Sequence, residues 1–159
     1  MEKNHQRAAA ISISTCIKMF NTSHINIAID QAIADTGETG HFVLPGTHVK
    51  IIKPATNILT INLSDGYNIK STHTCQLEIQ CLPEEAKEAH IFPGLAHTSF
   101  VSIKVLCNTG CNVEYDTNKC IVIYKDKKVW NDNREPSIGL WVLKLNPTLN
   151  FKVSMNHVQ

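Results

Sequence analysis

From residue 25 onward the apolar positions recur mostly at the two-residue spacing of half-buried strands. The first run, Ile25-Asn26-Ile27-Ala28-Ile29-Asp30-Gln31-Ala32-Ile33, reads as a strand and delivers the chain to a tight turn at Ala34-Asp35-Thr36-Gly37. Phe42-Val43-Leu44 and Val49-Lys50-Ile51-Ile52 follow as short strands, separated by Pro45-Gly46 and stopped by Pro54. Ile58-Leu59-Thr60-Ile61-Asn62-Leu63 and Tyr67-Asn68-Ile69-Lys70-Ser71 flank Ser64-Asp65-Gly66 and predict a hairpin, with Asp65-Gly66 supplying the positive φ angles of a primed turn. Cys75-Gln76-Leu77-Glu78-Ile79 predicts another strand. Residues 83–89 begin with proline and continue in helix formers, which suggests one short helical turn or a long loop. His90-Ile91-Phe92 ends a strand at Pro93-Gly94. Residues 99–107 carry apolar side chains at helical spacing and stop at Asn108-Thr109-Gly110, so they predict the one helix. Strands at Asn112-Val113-Glu114-Tyr115, Cys120-Ile121-Val122-Ile123-Tyr124 and Lys128-Val129-Trp130 close the domain, and Lys125-Asp126-Lys127-Lys128 reads as a solvated hairpin turn. The resulting division is an extension over 1–22, one β-rich domain over 23–130 and a linker over 131–159.

Composition supports one domain. With 43% hydrophobic and 18% charged residues in 159, the chain can bury a real core. A net charge of +1, with Lys and Arg scattered, gives no electrostatic footprint for nucleic acid, and no direct binding to it is expected. No apolar run approaches the roughly 18 residues that span a bilayer. The polar start, Met1 to Arg7, and the short Ala8-Ala9-Ala10-Ile11 stretch do not resemble a signal peptide, so the expectation is an intracellular, cytoplasmic protein. Six cysteines without a C-x-x-C pair read as free thiols, with Cys75 and Cys120 at inward strand positions. Cys107, Cys111, His90 and His97 could be imagined around zinc, but the second regular ligand pair of a structural site is missing. His41, His73, His90 and His97 read as ordinary loop or strand histidines, and Trp130 and Trp141 as packing residues. Serine-nucleophile elbows, phosphate loops and dinucleotide fingerprints do not occur.

That leaves Asp35-Thr36-Gly37 as the candidate chemistry. A strand followed by this turn can project a carboxylate into a cleft, tie the turn with a hydroxyl, and use a glycine to admit a close neighbour. An arbitrary chain of this length would hold the tripeptide by accident in roughly 3% of cases, so its weight comes from its placement after a strand pattern. It occurs once. Water activation by paired aspartates needs two carboxylates sharing one proton, and the second would come from another copy of the chain.

Several segments share an order with a known family. Ala34-Asp35-Thr36-Gly37-Glu38-Thr39-Gly40-His41-Phe42 resembles the Asp-Ser/Thr-Gly-Ala-Ser/Thr-His element that opens the protease region of Copia-type retrotransposon polyproteins. Ile61-Asn62-Leu63-Ser64-Asp65-Gly66 is similar to that family's flap-side hairpin, and residues 91–102 resemble its V-P-G-L … L-L-S segment. Residues 107–115 resemble the L-C-x-x-G-x-x-V-x-F that follows, and Gly139-Leu140-Trp141-Val142-Leu143 looks like the junction leading to integrase. The resemblance covers about residues 25 to 147. It implies a mostly β, retropepsin-like closed-barrel protomer with one short helix, acting as a homodimer on an extended peptide or polyprotein without metal or cofactor. It assigns Asp35 as the catalytic carboxylate, Thr36 as the brace across the two-fold axis and Gly37 as the residue admitting substrate backbone. Asp65 and Gly66 would sit at the flap, and 131–159 would be a pre-integrase remnant. Glu38 stands where the family carries a small residue. A second carboxylate there would repel the dyad or crowd the turn unless its side chain points to solvent.

Overall fold

A computed structural model describes residues 27–63 and 65–146; the extension expected over 1–22 and the tail after Pro147 lie outside them. Twelve strands appear among these residues: β1 (Gln31–Asp35), β2 (His41–Val43), β3 (Val49–Pro54), β4 (Thr60–Asn62), β5 (Asn68–Lys70), β6 (His73–Leu77), β7 (Glu88–Ile91), β8 (Ser99–Ser102), β9 (Asn112–Tyr115), β10 (Lys119–Tyr124), β11 (Lys127–Glu135) and β12 (Leu140–Lys144). One α-helix, α1 (Ile103–Asn108), and one 3-10 turn (Glu84–Ala86) complete them. The protein is therefore mostly β with one short helix.

Ten strands form a single sheet in the order β3-β6-β7-β2-β8-β1-β12-β11-β10-β9. β1 runs parallel to β8 and antiparallel to β12, and β2 runs parallel to β7. The expected closure into a barrel is not found, since β3 and β9 stand at the two ends of the sheet. β3 is poorly suited to further pairing: it slips register between Lys50 and Lys53, carries Ile51 at φ 52, and presents lysines, the usual devices that blunt an edge.

Alternation along the central strands divides the core. Ala32 of β1 and Val101 of β8 join a cluster with Leu77, Leu106, Val122 and Leu143, whereas Ile33 and Phe100 join Phe42, Phe92, Ile61 and Ile69. Successive side chains of a strand point to opposite faces, so these clusters lie on opposite sides of the sheet. The separate hairpin β4–β5 packs on the second side through Ile61 and Ile69. Its seat includes Gly94, where a Cβ would collide with Ile69; Gly94 is a glycine because the hairpin lies against its backbone.

Four sequence expectations need correction. Over the described part of the expected strand, pairing begins only at Gln31, because residues 28–31 form a turn closed by the Gln31 N–H on the Ala28 carbonyl (2.9 Å); residues 25 and 26 lie outside the described residues. Only Ile103–Asn108 of the expected helix over 99–107 is helical. Ser99–Ser102 lies between β1 and β2, all four residues are buried, and the strand ladder satisfies its backbone there. In the hairpin, the Leu63 N–H donates to the Tyr67 carbonyl (2.7 Å) and the Gly66 N–H to the Leu63 carbonyl (3.0 Å), and of the expected Asp65-Gly66 pair only Gly66 has a positive φ (92), so the tip is not the expected two-residue primed turn. Residues 131–144, expected to be linker, hold the end of β11 and all of β12, which pairs with β1 at Ile33↔Val142 and belongs to the sheet. Other expectations hold. Lys125 (φ 51) and Asp126 (φ 62) make the turn between β10 and β11, and α1 ends at Gly110 (φ 98).

Candidate active site

β1 fixes where Asp35 can stand. Ala32 and Ile33 are buried on opposite faces, and the parallel register with β8 sets Asp35 beside Ser102 at the strand's end. The chain then turns: the Asp35 carboxylate accepts the Gly37 N–H through Oδ1 (2.8 Å), the local bond by which aspartate stabilises such turns. Asp35 is half-buried, Thr36 is exposed, and Gly37 is half-buried. Two residues beyond Ile33, Asp35 continues the face over which β4–β5 packs.

Asp65 and Gly66 occupy a different turn, at the exposed hairpin tip, where the Asp65 carboxylate accepts the Tyr67 N–H (3.0 Å). The link from this hairpin to β1 is the shared apolar cluster of Ile33, Ile61 and Ile69. Gly66 has φ 92, a conformation that L side chains rarely adopt, so the tip needs its glycine.

Three residues beneath the Asp35 turn are fully buried: Glu38, His41 and Ser102. The Ser102 hydroxyl donates to the Glu38 backbone carbonyl (2.6 Å) and accepts the Val105 N–H (3.1 Å), capping α1. The Ser102 N–H donates to His41 Nδ1 (2.9 Å), and His41 Nε2 lies 2.8 Å from the Ala86 carbonyl. An amide N–H only donates and a carbonyl only accepts, so His41 is the neutral imidazole carrying its proton on Nε2. Burial pushes its pKa down to about 4, with the neighbouring His90 adding to the effect and the Ala86 bond opposing it. Glu38 does not point to solvent; its side chain is fully buried.

Tyr115 also comes near Asp35. Although the residue is 38% exposed, its hydroxyl is held above its ordinary pKa first by local burial, then by the Cys120 thiol to which it hydrogen-bonds, and further by the Asp35 carboxylate. The Tyr115 ring packs edge-on against Trp141 with centroids 4.9 Å apart. Trp141 is held by its indole N–H on the Asp116 carbonyl (3.0 Å) and by Arg134 over its ring at 5.3 Å.

Sequence reasoning therefore found the turn and missed its supports. His41 reads as an ordinary histidine although it lies six residues from Asp35, and Ser102 and Tyr115 carry no local signature because both reach the turn from a distant part of the chain. Among the described residues, no three His, Cys, Asp or Glu side chains come together as a metal-binding group, and the five described cysteines are free thiols. Nor is any described helix long and apolar enough to cross a membrane. A groove of about 150 Å³ beside β3 and β6, lined in part by Lys53, Thr74, Glu85 and Glu88, lies strands away from Asp35 and contains none of the expected site residues.

In comparisons with known proteins, the chain matches no family model, no curated protein and no solved structure. The functional reading rests on the turn, its supports and the order of sequence motifs.

Proposed function

We propose that this chain is one protomer of a homodimeric aspartic endopeptidase of the Copia-retrotransposon type, with a retropepsin-like arrangement completed by a second copy and a role in polyprotein processing. The observation that carries the reading is the placement of Asp35: it ends a central strand, opens a turn locked by its own carboxylate, and shares a face with a separate β-hairpin. Two Asp35 carboxylates brought together across a two-fold axis would share one proton, because like charges a few ångströms apart resist joint ionisation. The ionised member would take a proton from water, which attacks the scissile carbonyl, while the protonated member donates to the developing tetrahedral oxygen. Return of the proton to the leaving amine completes cleavage. Exposed Thr36 is free of the core and available to brace the partner turn, and the hairpin carrying Asp65 and Gly66 would close over an extended peptide. An intracellular, cytoplasmic setting belongs to the same proposal.

The test is cleavage of a denatured-protein substrate between pH 4 and 6.5, with and without a transition-state-mimicking aspartic peptidase inhibitor. Asp35→Asn removes the titrating carboxylate at nearly constant size, so it should abolish inhibitor-sensitive cleavage and leave the fold standing. Cleavage that survives the substitution would move the chemistry to other residues.

A second reading draws on Glu38. A carboxylate buried in the catalytic turn favours a β-rich dimerisation or binding module without turnover, derived from such an enzyme. Dimerisation without inhibitor-sensitive cleavage at any pH in that range is the result this reading expects.

A further inference from the structure

The buried bonds beneath Asp35 converge on one backbone amide. Ser102 is the register neighbour of Asp35, its hydroxyl holds the carbonyl of Glu38, and its N–H has His41 Nδ1 as acceptor. His41 is itself pinned at its far nitrogen by Ala86, which belongs to the 3-10 turn before β7. His41 also begins β2, whose first pair is His41↔Ala89 of β7. One imidazole thus ties β2, β8 and the 3-10 turn to the segment from Asp35 to His41, and both hydrogen-bond partners of its ring are backbone groups.

We propose that His41 is the positioning residue of the Asp35 turn, acting through Ser102 as a neutral imidazole with its proton on Nε2. It touches no substrate. Its part is to supply, at Nδ1, the acceptor that keeps the Ser102 N–H and hence the Ser102 hydroxyl aligned on the Glu38 carbonyl. Only one tautomer can do this: a proton on Nδ1 would face the Ser102 N–H donor to donor, and the turn would lose its lower support. The titratable groups beside this device are His90, which disfavours charge on His41, and Glu38, buried in the same chain segment.

The consequence for turnover rests on the peptidase reading, whereas the tautomer and the protection of the turn do not. Two substitutions divide the imidazole's roles. In His41→Asn the amide oxygen can replace Nδ1 as acceptor for Ser102, and in His41→Gln the amide nitrogen can replace Nε2 as donor to Ala86. Both lose one bond, so both should lose some stability. His41→Asn should nevertheless keep the Ser102 and Gly37 amides protected from hydrogen exchange and retain most turnover, whereas His41→Gln should lose that protection and fall by about 10²-fold in kcat, the scale expected for a reacting group displaced by about 1 Å. Equal effects of the two variants on exchange and kcat, or the reverse order, would overturn the proposal. Should the variants fail to fold, nitrogen chemical shifts of His41 in the native protein decide it: protonated Nε2 with bare Nδ1 supports it, and the opposite tautomer or an imidazolium at neutral pH refutes it. If the native protein never cleaves peptide, the peptidase reading fails, while the exchange and tautomer results still decide the positioning role.

Discussion

At the scale of the residue, His41 and Glu38 are the buried titratable side chains of the segment that Asp35 opens. His41 is buried neutral with a pKa near 4, against about 6.5 in an unfolded chain, so below about pH 6.5 the unfolded state binds more protons than the native one. Its contribution to stability is fully present above that pH and declines as pH falls toward about 4, by something on the order of 3 kcal/mol. His90, also lowered by burial, acts in the same direction. Urea denaturation at pH 7.5 and 4.5 should show this decline in the native protein and a smaller one in His41→Gln; equal declines would place the acid sensitivity elsewhere. Glu38 bears on the proposed activity. Glu38→Gln keeps the buried volume and removes the titrating carboxyl, so on the reading that its charge opposes the dyad it should raise turnover, more at the higher pH. A gain that is the same at pH 4 and pH 7 would assign the effect to packing instead of charge.

At the scale of the element, the hairpin β4–β5 is seated by apolar contacts. Ile61 and Ile69 join the apolar cluster of Ile33, Phe42, Phe92 and Phe100, and Gly94 lies against Ile69, while the Leu59 N–H on the Ser71 hydroxyl (2.8 Å) closes the base of the hairpin itself. Gly94→Ala would place a methyl where Ile69 already stands, so the hairpin must shift. The expected cost is about 1–3 kcal/mol, the usual range for overpacking. Because Ile61 and Ile69 share their cluster with Ile33, the displacement should also raise KM for peptide while the ten-stranded sheet persists. Unchanged melting temperature and unchanged KM in that variant would show that the hairpin is not seated on Gly94. In β8, local periodicity misjudged residues 99–102 while 103–107 are helical as expected: Phe100 and Val101 satisfy a helical pattern, yet their burial on opposite faces in a central strand wins over it.

At the scale of the whole molecule, one chain supplies one Asp-Thr-Gly turn, and the proposed chemistry needs two. Specific activity should therefore rise with protein concentration below the dimer dissociation constant and level off above it. Sedimentation run over the same concentrations should place the two transitions together. Strict proportionality of rate to concentration down to a demonstrated monomer would remove the shared-dyad mechanism.

The sequence by itself determined the strand-rich character, the turn at Asp35, the glycine at the hairpin tip and the stop of the helix at Gly110, because each depends on neighbours a few residues away. Period-two alternation marks a face, and aspartate, threonine and glycine mark a turn, wherever in the molecule they fall. Only the tertiary structure decided that β12 lies beside β1 inside the sheet, that Ser99–Ser102 is strand, that β3 and β9 stand at the ends of the strand order among the described residues, and that Glu38 is buried. His41 meets Ser102 across 61 residues of chain, and the Ser102 hydroxyl meets Glu38 across 64. Bonds of that span leave no spacing for a sequence to display, since what brings the two groups together is the packing of every strand between them.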